Sequence, residues 1–119
     1  MTWVFVYAAD SGPVNAALDW AHKLVSPTTY ACDLCRITYG AFGRKQEWDK
    51  ALERLPGTKE FYHEDEFQRA HPGKASQAPA VWRVEGDRWT LVLGLGGWDS
   101  IDSVSALEAR LVQSLSVEA

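Results

Sequence analysis

Apolar residues dominate Thr2 to Ala9 (Thr-Trp-Val-Phe-Val-Tyr-Ala-Ala), the pattern of a central strand covered on both faces. Asp10-Ser11-Gly12-Pro13 breaks the run. Beyond it Val14, Leu18, Ala21 and Val25 recur at spacings of four, three and four, one apolar stripe along an amphipathic helix whose first turn accommodates Pro13. Ser26-Pro27 closes that helix. Between Thr28 and Gly40 the pattern fits no single element, because Pro27 can also open a second short helix. Gly40 and Gly43 bracket a turn. From Arg44 to Leu55, Trp48, Leu52 and Leu55 mark the buried edge of a strongly charged helix that Pro56-Gly57 stops.

The second half is richer in β-formers. Thr58 to His63 reads as a short strand, Asp65 to His71 as one or two helical turns before Pro72-Gly73, and Lys74 to Ala78 as a surface loop. Ala80 to Val84 and Trp89 to Leu93 are strands joined across Glu85-Gly86-Asp87-Arg88, where Gly-Asp forms a two-residue hairpin turn. Asp99 or Ser100 then caps a last helix with Ile101, Val104, Leu107, Leu111 and Leu115 on its inner side.

A βαβ half followed by a ββα half resembles the thioredoxin-like fold. The resemblance implies one α/β domain over residues 1–119, with a mixed central sheet of about four strands flanked by helices. It also implies a cis peptide at Ala78-Pro79 facing the active site; a trans proline ending a loop is the ordinary alternative. In that fold a Cys-x-x-Cys directly follows the first strand, at a helix start that lowers a thiol pKa. Here Asp10-Ser11-Gly12-Pro13 holds that place, and the cysteines come after the first helix, roughly 20 Å along it. Ser26 to Cys32, extended, spans about 23 Å, enough for a return to the strand ends.

A length of 119 residues, 46% hydrophobic and 24% charged, suits one core and one domain. The formal charge of −4, with 12 scattered basic residues, argues against nucleic acid or anionic lipid as a partner. No segment approaches the ~18 apolar residues of a membrane span. The chain enters its first strand pattern without a basic run and cleavage site, which predicts a cytoplasmic protein in which surface thiols stay reduced.

The chemistry that this leaves centres on Cys32 and Cys35, the chain's two cysteines, as Cys-Asp-Leu-Cys. Two thiols so spaced close a disulfide or grip a soft metal. A cytosolic Cys-x-x-Cys beside a βαβ pattern reads as a dithiol redox motif, with Cys32 attacking and Cys35 resolving, no cofactor, and a protein or small-molecule thiol as partner. The competing reading is a non-catalytic zinc-binding or interaction module. His22, ten residues before Cys32, would supply a third ligand, and Asp10, Asp19, His63 or water the fourth. The third is a pair of ordinary buried cysteines.

Asn15, Asp19 and His22 stand at i, i+4 and i+7, a polar line beside the apolar stripe of the first helix that suits either a cleft rim or a solvated flank. With Asp10, and Pro79 shaping the site, they are the candidate supporting residues. His63-Glu64-Asp65-Glu66 suits acid-base work, a hard cation, or a turn capping the next helix. Trp3, Trp48, Trp82 and Trp89 fall in element patterns and read as core, whereas Trp98, among Gly94, Gly96 and Gly97, reads as exposed and available to a partner. That glycine run lacks the Lys-Ser/Thr ending and the spacing of nucleotide-binding loops.

Asp10-Ser-Gly, Asn15, Asp19, His22-Lys23, Pro27, Tyr30, Cys32-x-x-Cys35, Thr38-Tyr39-Gly40 and Trp48 together resemble the N-terminal signature of an uncharacterised family of small bacterial proteins. That resemblance implies no activity.

Overall fold

Strand β1 (Thr2–Tyr7) forms where the apolar run predicts a two-faced strand: Trp3, Phe5 and Tyr7 are buried on one face, Val4 and Val6 on the other. The computed structural model describes residues 1–8, 33–40, 43–74, 77–94 and 97–117, so the helix expected over 13–25 lies outside the described residues. The elements that follow are α1 (Asp33–Thr38), β2 (Tyr39–Gly40), β3 (Gly43–Arg44), α2 (Gln46–Arg54), β4 (Thr58–His63), α3 (Glu64–Ala70), β5 (Ala80–Glu85), β6 (Arg88–Leu93) and α4 (Val104–Val117).

The main sheet has the order β4-β1-β5-β6. β1 pairs in parallel with β4, from Thr2 opposite Thr58 to Tyr7 opposite His63, and antiparallel with β5. A parallel pair demands a long crossover, which the chain between β1 and β4 provides. β5 and β6 form the antiparallel hairpin expected from Gly86-Asp87, with Gly86 at φ 62° supplying the positive φ of the first central turn position. The chain is therefore an α/β protein with a mixed four-stranded sheet, one parallel pair, and flanking helices.

Between α2 and β4 the chain passes under the N-terminus. The Thr58 N–H donates to the Met1 carbonyl at 3.0 Å, and Gly57 at φ 94° lies so close that a Cβ there would stand 2.6 Å from the Met1 oxygen. Only glycine fits this approach without displacing the first rung of the parallel pair.

One face of the sheet carries the larger core. Trp3, Phe5, Tyr7 and Val81 meet Leu34 and Ile37 of α1, Trp48, Ala51 and Leu52 of α2, and Val104, Leu107 and Leu111 of α4. Phe5 stacks on Phe61 at 5.0 Å and takes the Trp48 ring edge-on at 5.5 Å. Arg54 grips Glu108 with two hydrogen bonds of 2.7 Å, joining α2 to α4. Arg83 crosses the same face, buried, and donates to the Ser114 carbonyl in the last turn of α4, where a cation meets the negative helix end. The opposite face is smaller: Val4, Val6, Ala80 and Trp82 lie beneath Phe67 of α3, with Tyr62 and Trp89 at the edge.

Three expectations need correcting. Arg44 does not begin the charged helix; it pairs with Tyr39 across the short β2–β3 ladder, and α2 starts at Gln46. The last helix is capped at neither Asp99 nor Ser100. Residues 98–101 form a turn, the Ile101 N–H donating to the Trp98 carbonyl, and the helix begins at Val104 with the Ser103 hydroxyl accepting from the Ala106 N–H at 3.1 Å. Trp98 is not exposed. It is 4% exposed, and its Nε1–H donates to the Pro79 carbonyl at 2.8 Å.

Candidate functional site

The site grows from the short helix α1. Leu34, Cys35, Ile37 and Thr38 are all buried, so the helix is embedded in the larger core. The Thr38 Oγ1 hydroxyl donates to the Leu34 carbonyl at 2.7 Å, closing the last turn, and the Lys45 N–H donates to the Thr38 carbonyl, tying α1 to the segment after β3. Cys35 is 8% exposed and is held in a disulfide bond. The chain's other cysteine is Cys32, which lies outside the described residues. Asp10, Asn15, Asp19 and His22 also lie outside them, so the polar line on the first helix and the Cys32, Cys35, His22 zinc set have no geometry to report. Among the described residues no three His, Cys, Asp or Glu side chains gather as a metal-binding group.

The last residue of α1, Thr38, lies beside Tyr7 at the carboxyl end of β1, on the edge at which open α/β sheets bind ligands. Tyr7 is the last residue of β1. Its ring lies 5.9 Å from Tyr39 edge-on, 6.4 Å from Phe61 and 6.2 Å from His63. The Tyr7 hydroxyl is sealed from solvent beside Tyr39 and Thr38, and among the described residues it makes no hydrogen bond of good geometry. Burial above all, and then the neighbouring Tyr39 phenol, push the Tyr7 pKa far up, so the group stays a protonated donor wherever the protein is folded. Sequence reasoning assigned Tyr7 no role. Its signal is positional: it is the polar-tipped residue that ends the first strand of a parallel pair.

His63, in register with Tyr7, begins the acidic turn. The Glu66 carboxylate accepts from the His63 backbone N–H at 2.8 Å and lies 2.7 Å from the His63 Nδ1, while the Glu66 N–H donates to Asp65. Of the three uses open to this cluster, helix capping is the one these contacts serve. His63 also holds the Glu66 carboxyl below the usual carboxylate range, through its backbone N–H first and its ring second. The Arg54 guanidinium does the same to Glu108. Both groups are ionised more readily folded than unfolded, so their stabilisation is complete above about pH 4.3, the ordinary glutamate value, and fades as pH falls through the lower folded values. A melting-temperature series from pH 6 to 2 should therefore fall on the acid side, and Glu66→Gln with Glu108→Gln should flatten that fall. Exposure of the Glu66 pair keeps its share small.

Pro79 stands at the start of β5. The Ala78-Pro79 peptide is cis, the isomer that the thioredoxin-like resemblance implies. Its carbonyl is the acceptor for Trp98, so the glycine-flanked tryptophan read as a partner contact instead fastens the loop before β5 to the segment before α4.

The features in hand define an α/β domain with an oxidised cysteine on a buried helix beside the carboxyl edge of a parallel strand pair. No family model, curated protein or solved structure matches the chain. Among the described residues no helix is long and apolar enough to cross a membrane.

Proposed function

We propose that this chain is a thioredoxin-like domain that carries out thiol-disulfide exchange through Cys32 and Cys35. The observation that carries the reading is the disulfide at Cys35, in a chain whose other cysteine stands three residues earlier. The sheet order β4-β1-β5-β6, with a parallel half preceding an antiparallel hairpin and a last helix, supports the thioredoxin-like part.

In the reduced protein the Cys32 thiolate attacks one sulfur of a substrate disulfide, displacing the other as a thiolate and leaving a mixed disulfide. The Cys35 thiolate then attacks the Cys32 sulfur and releases the second substrate thiolate. Two electrons pass to the substrate, and the protein is left with its own disulfide. Burial of Cys35 suits the resolving role, since an external substrate needs no access to it. Two equivalents of a small-molecule thiol restore the dithiol.

Turnover tests this. Purified protein with excess reduced glutathione should accelerate reduction of a model peptide disulfide over glutathione alone, in proportion to protein concentration. A rate equal to that of glutathione alone refutes exchange activity, and one zinc per chain in the reduced protein would favour the metal-binding alternative.

A further inference from the structure

We propose that the Tyr7 hydroxyl donates a hydrogen bond to the Cys35 thiolate in the reduced protein and so favours the dithiol over the disulfide. This rests on the exchange reading and adds a residue to it.

Tyr7 is 6% exposed and its hydroxyl is sealed from solvent; Tyr39 and Thr38 lie beside it, but among the described residues it makes no hydrogen bond of good geometry. An orphaned buried donor is costly and uncommon, and a redox or catalytic role is one of the reasons for which such a group is kept. The hydroxyl lies beside Thr38. Thr38 and Cys35 stand at i+3 and i on α1, so they share one helix face with Cβ atoms about 5–6 Å apart. The Thr38 hydroxyl gives its one proton to the Leu34 carbonyl, so Thr38 is not itself a donor for the Cys35 sulfur, and the phenol is the hydroxyl donor left beside this face.

The oxidation state explains why the donor is idle. Cys35 is in its disulfide form, and a disulfide sulfur is a weak acceptor. Reduction by two thiols breaks that S–S bond, forms one disulfide between the reductants and leaves two sulfurs on the protein, either of them able to carry negative charge. A thiolate is a strong, charge-assisted acceptor. The phenol that costs stability in the oxidised protein is then satisfied in the reduced one, and the couple shifts toward the dithiol.

Tyr7→Phe keeps the ring against Tyr39 and Phe61 and removes only the oxygen. Equilibrated with reduced and oxidised glutathione and trapped by alkylation, the variant should shift its constant about tenfold toward the disulfide, a potential about 30 mV lower than wild type. A rotamer-neutral packing role predicts no such shift. If wild type cycles and Tyr7→Phe does so at an unchanged potential, the proposal is overturned while exchange stands; if wild type fails to cycle, both fall. The wild type gives a second reading that needs no variant: the Tyr7 hydroxyl proton resonance should move downfield on reduction, and a resonance unmoved between the two states overturns the hydrogen bond.

Discussion

Trp98→Ala should lower the free energy of unfolding by about 3–5 kcal/mol. The indole is 4% exposed and packs in the larger core with Leu93 and Ile101. Its removal opens a cavity and also leaves the Pro79 carbonyl without its donor at 2.8 Å. Trp98→Phe keeps much of the apolar volume and should cost less. Urea unfolding, with midpoints shifted and slopes unchanged, is the measurement. A change within about 0.5 kcal/mol is what a surface tryptophan would give, and would contradict this placement.

That residue also shows where local pattern stops informing. Three glycines beside Trp98 resemble a loop because local flexibility is all that a short window can see. Its partner, Pro79, is nineteen residues away. The same limit moved the cap of α4: Asp99 and Ser100 are both competent caps, but a turn anchored by buried Trp98 occupies them first and Ser103 takes the role. β1 was legible for the opposite reason. A strand buried on both faces must be apolar at every position, and Trp3 to Tyr7 permits little else. The Gly86-Asp87 hairpin was legible because positive φ at the turn selects glycine within the turn itself. Of the candidate site, the sequence showed the sulfur pair and Pro79 and gave no hint of Tyr7. A phenol ending an apolar strand reads as core until its neighbours on α1 are known.

Cys35→Ser should slow turnover, because the Cys32 mixed disulfide is then released only by attack of a second glutathione. Without a resolving sulfur, the Cys32 mixed disulfide has no intramolecular exit, and with a disulfide substrate and no excess thiol it should accumulate to one substrate or glutathione per chain, visible as a mass increment that dithiothreitol removes. Cys32→Ser should fail differently. The remaining sulfur at Cys35 is 8% exposed and should form little mixed disulfide under the same conditions. The asymmetry between the variants distinguishes an attacking and a resolving thiol from two equivalent surface cysteines. Equal trapping in both would contradict the assigned roles.

The central claim is that the cysteine pair exchanges electrons reversibly while the rest of the domain stays folded. Wild-type protein equilibrated across a series of reduced-to-oxidised glutathione ratios, alkylated and weighed intact, tests it most directly. One two-electron transition between a form with two alkylated cysteines and a form with none, approached equally from either side, is the expected result. A pair that resists both reductant and alkylating agent in the folded state, and reacts only on unfolding, would contradict it.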